Sequence, residues 1–176
     1  MSRQNKYLRV VIDEINKINS KDIHRSALEG LHTSLGHQIV MLQGDPHWLD
    51  SFNCFAFALG LVDEPRYQDL YQLHQQATLA DSAFVTGLVE DGHLSEIPAR
   101  DARSRTIVLY FKDGCLQHGG LIEAGSRRIR SKWGLSELYE HGLWEVGASY
   151  GTQVRYFTVP DPHRIIALLE GYIGTE

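Results

Sequence analysis

Cys54 and His118 are the two residues whose type and setting could do nucleophilic chemistry together. Cys54 stands in Asn53-Cys54-Phe55-Ala56-Phe57-Ala58-Leu59-Gly60, an apolar helical run closed by glycine, after a loop over residues 44–51. The spacing predicts a helix to about Leu61 with Cys54 in its first turn. Free N–H groups and the positive end of the dipole favour a thiolate there. The thiolate is the nucleophile, and such settings lower a cysteine pKa from its usual ~8.5. A nucleophilic cysteine also needs a base and a group that orients the base. Nine histidines compete for the first role. His118 stands apart because Gln117-His118-Gly119-Gly120-Leu121-Ile122 reads as a strand whose two glycines leave room for a substrate or another backbone.

A third member follows from hairpin arithmetic. If Ala124-Gly125 is a two-residue turn, Ile122 faces Arg127, Gly120 faces Ile129, and His118 faces Ser131. Directly opposed residues share a sheet face, so the Ser131 hydroxyl would reach the imidazole and set its tautomer. A turn one residue longer brings Lys132 opposite His118, and two longer brings Trp133. Asn53 has two readings: a helix cap, or an amide that supports an oxyanion beside the Cys54 N–H.

The segments Asn53-Cys54-Phe55-Ala56-Phe57-Ala58-Leu59-Gly60, Asp113 to Gly120 and Ser131-Lys132-Trp133-Gly134, with Glu140-His141 and Tyr150-Gly151 downstream, occur in a telling order. Together they resemble a poorly characterised bacterial branch of the NlpC-like, papain-like cysteine peptidases and amidases, over roughly residues 45–158. The resemblance implies a papain-like α+β fold with the nucleophile helix packed on an antiparallel sheet. It implies Cys54 as nucleophile, His118 as base and Ser131 as the third residue. The expected activity is cleavage of a peptide or isopeptide amide through an acyl-enzyme. Glutamine deamidation or acyl transfer by a secreted effector would use the same machinery. A binding module on the same fold without turnover is the reading from another class.

The elements that must position these residues can be read from periodicity. Tyr7, Leu8, Val11, Ile12, Ile15 and Ile18 predict an amphipathic helix over residues 4–19. Residues 22–40 read as a short helix and a turn, with Gly30 and Gly36 as breaks. Glu64-Pro65 and Asp81 mark two further helix starts. The pattern then changes to strands: 106–111, 115–123, 127–132 and 152–159, with a short helix at 135–141 and a closing helix at 162–173. Helices first and an antiparallel meander second reads as α+β. The expected organisation is one domain: a helical extension over 1–44, a catalytic core over 45–160 and a C-terminal helix over 161–176.

Composition narrows the partners. Net charge is −5 with acids and bases mixed, and no basic block points to nucleic acid. Leu8 to Ile18 is interrupted by charge, so it reads neither as a signal peptide nor as a membrane span, and a cytoplasmic location is expected. Two cysteines form no disulfide framework and fit a reducing compartment. Cys115-x-x-His118 is the one metal-like spacing, but zinc needs four ligands in recognisable pairs, so no metal and no cofactor are expected. His141 is expected at a helix end, satisfying carbonyls. The other histidines receive no role.

Overall fold

The structure is a computed structural model that describes residues 3–174 apart from 19, 43–48, 77, 104, 123–124, 126 and 134–136. Helices α1 (Arg3–Ile15) and α2 (Lys21–Leu35) come first, then strand β1 (Val40–Leu42). Helices α3 (Cys54–Ala58), α4 (Pro65–His74) and α5 (Ser82–Glu90) follow, then the short β2 (Glu96–Ile97). The remainder is β3 (Thr106–Lys112), β4 (Cys115–Ile122), β5 (Ile129–Lys132), β6 (Leu138–His141), a 3₁₀ turn at Ala148–Tyr150, β7 (Gln153–Thr158) and α6 (Pro162–Ile173). The chain is thus α+β, with one antiparallel seven-stranded sheet in the order β1-β6-β5-β4-β3-β7-β2.

Local chemistry explains the best-defined starts. Asp81 accepts from Phe84 N–H and Asp161 from His163 N–H, each satisfying an orphan donor of the first turn. Pro65 and Pro162 take first-turn positions where no N–H is needed.

Helices cover both faces of the sheet. On one face Ile107, Leu109, Phe111, Leu116, Leu138 and Phe157 pack with residues of α3, α4, α5 and α6. On the other, Val108, Tyr110, Ile122, Ile129 and Tyr139 pack with Leu8, Ile12 and Ile15 of α1 and Leu28 and Leu31 of α2. Alternate residues of β3 serve the two cores, so it reads as an unbroken apolar run although it is antiparallel.

Four sequence expectations are corrected. Residues 22–40 do not break at Gly30: α2 runs through it and ends where Gly36 adopts φ +65°. One glycine costs a helix only ~1 kcal/mol, which the buried Leu28 and Leu31 outweigh. The Cys54 helix stops at Ala58 rather than Leu61. Of the short helix expected at 135–141, residues 135 and 136 lie outside the described residues, and Leu138–His141 is instead a strand paired to both β1 and β5. The meander also gains two short edge strands, β1 and β2, from the part of the chain before β3.

Candidate active site

Asn53 sets the position of Cys54. Its side-chain oxygen accepts from Phe55 N–H at 3.0 Å and Ala56 N–H at 2.9 Å, and its amide donates to Ala80 O at 2.8 Å. Asn53 is therefore the helix cap, and with its amide committed to Ala80 it does not serve an oxyanion. Helix α3 has five residues, so its dipole is small. What acts on the sulfur is nearer. The N–H groups of Gly119, Cys54 and Phe55 are directed at it, and the Lys132 charge favours its ionised form. Burial opposes all four and wins, pushing the thiol up to about 11. The resting group is a thiol.

His118 lies on β4 opposite Tyr110, 1% exposed, and its ring belongs to the α1/α2 face of the sheet. Gly119 belongs to the other face: a Cβ there would lie 3.3 Å from Ala58, Leu109 and Phe55. Cys54 and His118 thus approach one peptide, His118–Gly119, from opposite sides of the sheet. The link is Tyr150. Its ring stacks on the imidazole at 4.0 Å between centroids and 4° between planes, and the Cys54 sulfur acts on its hydroxyl. Tyr110 packs on His118 at 5.7 Å. Held between two aromatic rings, His118 is driven well below the ordinary histidine range by desolvation, with His141 adding to the effect. It is a neutral imidazole, and its Nε2 is buried with no hydrogen-bond partner among the described residues.

Ser131 is not across from His118. The β4–β5 register is Ile122↔Ile129 and Leu121↔Arg130, two residues longer than a tight turn at Ala124-Gly125 would give. Residues 123, 124 and 126 lie outside the described residues, while Gly125 has φ +73°. A shift of two keeps Ser131 on the His118 face but moves it along the strand. There its hydroxyl meets His141 Nε2 at 2.7 Å and accepts from Trp133 Nε1 at 3.0 Å. His141 Nδ1 lies 2.9 Å from Gly142 O, so it must carry the proton, and Nε2 accepts from Ser131. Ser131 orients a histidine, but that histidine is His141, on strand β6 and fully buried. Burial takes His141 down to about 4.

Sequence reasoning missed Lys132 and Tyr150 as neighbours of Cys54. Lys132 is 2% exposed, opposite Leu138 and therefore on the α3 face. Its ammonium lies 5.4 Å from the centre of the Phe52 ring, two residues before Cys54. Tyr150 is brought in by α1. Buried Arg9 donates to Val146 O at 3.1 Å, to Gly147 O at 2.9 Å and to Gly151 O. Asp13 accepts from the Ser149 N–H and hydroxyl. The signal available was Tyr150-Gly151: Gly151 adopts φ +90° against the Phe111 carbonyl, which only glycine fits.

Cys115 is exposed at the start of β4. Among the described residues no group of three or more His, Cys, Asp or Glu is placed to hold a metal ion, and no helix is long and apolar enough to cross a membrane. A cavity of about 440 Å³ between α2 and β1, lined by Leu28, His32, His37 and Met41, contains none of the site residues read from the sequence.

Residues 47–158 match a family profile described as a domain of unknown function, DUF7689. The chain belongs to this family. Its segment runs from just before α3 to the end of β7, so it contains Cys54, His118, Lys132 and Tyr150. Helices α1, α2 and α6 lie outside it. No curated protein matches the chain, and no solved structure does.

Proposed function

We propose that this DUF7689 protein is a thiol-dependent hydrolase that cleaves an amide through a Cys54 acyl-enzyme, with His118 as base. The observation that carries the reading is the meeting of a capped helix start and a buried histidine on one peptide. The Cys54 sulfur takes the Gly119 N–H, and His118, the adjoining residue, has an Nε2 with no partner among the described residues. Kinship with NlpC-like, papain-like enzymes belongs to this proposal and rests on the order of the sequence motifs.

Both groups rest neutral, so the chemistry runs by general base rather than through a standing ion pair. For the Cys54 proton to pass to His118 the two side chains must meet past the His118–Gly119 peptide, and Tyr150, which adjoins both, is the group that has to give way as the sulfur attacks the amide carbon. The Gly119 and Cys54 N–H groups then stabilise the developing negative charge. His118 returns the proton to the leaving amine, and water releases the acid. A peptide or protein amide is the proposed substrate. A glutamine side-chain amide would follow the same steps and lose ammonia.

The parent, Cys54→Ala, Cys115→Ser and His118→Ala are incubated with peptide, isopeptide and glutaminyl amides, and products are read by mass spectrometry. Cys54→Ala abolishes product, His118→Ala lowers the rate by about 10²–10⁴-fold, and Cys115→Ser retains it. Product formation that survives Cys54→Ala would refute the reading. The neutral thiol favours a second reading, a binding module without turnover, in which no amide is cleaved and the half-buried Cys54 reacts slowly with iodoacetamide.

A further inference from the structure

We propose that the cavity at the end of β4 binds a small organic anion, its apolar body seated on the sheet and its carboxylate or phosphoryl head held by Arg100 and Arg127. The site lies apart from Cys54 and does not rest on the proposed hydrolase.

The cavity has a volume of about 340 Å³, with apolar walls at Ile122, Ile129, Leu143 and Tyr156 and the exposed Arg100 and Arg127 on its lining. That size suits a small molecule, since such sites run from ~300 to ~1,000 Å³. The four wall residues belong to the core on the α1/α2 face of the sheet, whereas Cys54 packs on the other face. Neither α1 nor α2 contributes a described lining residue, so the two helices leave this end of the sheet face open.

The charge comes from two segments that only the fold unites. Residues 98–106 hold Arg100, Arg103 and Arg105 against Asp101, and residues 122–130 hold Arg127, Arg128 and Arg130 against Glu123. Neither is a basic block, yet they meet at one place in a chain of net charge −5. The first segment is anchored there: the Arg105 N–H donates to Ile122 O at 3.0 Å, and the Arg103 N–H to the Thr106 hydroxyl at 3.0 Å. Arg105 takes φ +60° in doing so, a conformation costly for any residue with a Cβ. In the second segment Arg128 and Arg130 are committed to Glu140, at 2.6 and 3.7 Å. Arg127 makes no ion pair or hydrogen bond among the described residues, and Arg100 has only a 3.9 Å contact with the exposed Asp101. Two guanidinium groups on the cavity are thus left to answer a ligand.

A guanidinium is always charged, and its planar fork of N–H donors fits a carboxylate or a phosphoryl group. Two forks beside an apolar wall select an anion with an apolar body. A bare anion would leave the wall in water, and an uncharged body would gain nothing from the forks.

The test titrates the full chain with phenyl phosphate, benzoate, inorganic phosphate and benzyl alcohol, following the methyl NMR signals of Ile122, Ile129 and Leu143 and the heat of binding. Phenyl phosphate or benzoate shifts these methyls to saturation. Arg100→Gln and Arg127→Gln each weaken that binding about tenfold, and both side chains are exposed, so the fold survives the change. Inorganic phosphate and benzyl alcohol bind about tenfold more weakly than the anion that joins head and body. Binding of phenyl phosphate alone assigns a phosphoryl head, of benzoate alone a carboxylate, and of both a site that takes either; each upholds the proposal. Failure of both anions to saturate the three methyls overturns it. So does unchanged affinity in either variant. Benzyl alcohol binding as tightly as the anions would leave an apolar crevice, and inorganic phosphate binding as tightly would leave a surface charge, and each also overturns the proposal. No probe is an amide, so the outcome is independent of the Cys54 reading.

Discussion

Ser131→Ala separates a structural serine from a catalytic one. The hydroxyl is 0% exposed, accepts from Trp133 Nε1 at 3.0 Å and meets His141 Nε2 at 2.7 Å. Alanine removes both bonds at once and strands an indole N–H and an imidazole nitrogen where water has no room. Each stranded buried group costs ~1–3 kcal/mol, so the pair costs about 2–4 kcal/mol after some relaxation. Against a whole stability of about 5–15 kcal/mol that is a large share. The assay is guanidinium unfolding followed by tryptophan fluorescence, with the midpoint falling at unchanged slope; in a thermal melt the fall is roughly 4–16 °C for a chain of this size. Histidine NMR gives a second sign. Loss of the donor to neutral Nε2 lets His141 titrate above its present value of about 4. A loss under ~1 kcal/mol with the His141 titration unmoved would refute the network. A rate defect without a stability defect would return Ser131 to the active site.

Acid should weaken the fold in a defined window. His118, His141 and His24 are all lowered by burial, so they are neutral in the fold and bind protons more readily unfolded. Stability they contribute is therefore full above the ordinary value of 6.5 and lost as pH falls through the folded values; for His141, between 6.5 and about 4, the loss is about 3 kcal/mol. Denaturant midpoints that stay flat from pH 7 to pH 4 would contradict buried, neutral histidines. Arg9→Met should free the 146–151 turn, because three carbonyls lose their charged donor at about 3 kcal/mol in all. Hydrogen exchange at Ser149 and Tyr150 then accelerates, and exchange that stays at the parent rate would show that Asp13 alone holds the turn.

How far the sequence speaks depends on what kind of signal each element carries. Helix α6 spans the expected 162–173 because Asp161 and Pro162 are local instructions that need no tertiary partner. The α5 start at Asp81 and the apolar β3 are legible for the same reason. The β4–β5 register is not, since it depends on the length of a turn and a glycine with positive φ suits turns of several lengths. That one ambiguity turned Ser131 from the partner of His141 into an expected partner of His118. Strand β6 escapes because Leu138 and Tyr139 feed opposite cores, which erases the alternation that marks a half-exposed strand. Of the site, Cys54 and His118 can be singled out by type and neighbours. Lys132 and Tyr150 cannot, because only the fold brings β5 and the α1-anchored turn to the sulfur.

The two glycines after His118 show how the sheet and the site constrain each other. Read from the sequence, they leave room for a substrate or another backbone. In the fold that room is taken by the protein. A Cβ at Gly119 would press on Ala58, Leu109 and Phe55, and one at Gly120 would lie 2.7 Å from Ile129 and 2.8 Å from the Arg130 carbonyl. Gly119 lets α3 settle onto β4, which is what aims its N–H at the Cys54 sulfur. Gly120 lets β5 close on β4, which is what carries Lys132 toward the same place. On the proposed reading the glycines therefore serve the nucleophile rather than the substrate. A substrate, on the same reading, comes to a thiol that is itself only half-buried. Of the groups around the sulfur, Tyr150 lies on a three-residue 3₁₀ turn rather than on a sheet strand or α-helix, tied down by Arg9 and Asp13 of α1. The sheet thus sets the Gly119 donor at the sulfur, and the turn sets the Tyr150 ring beside it.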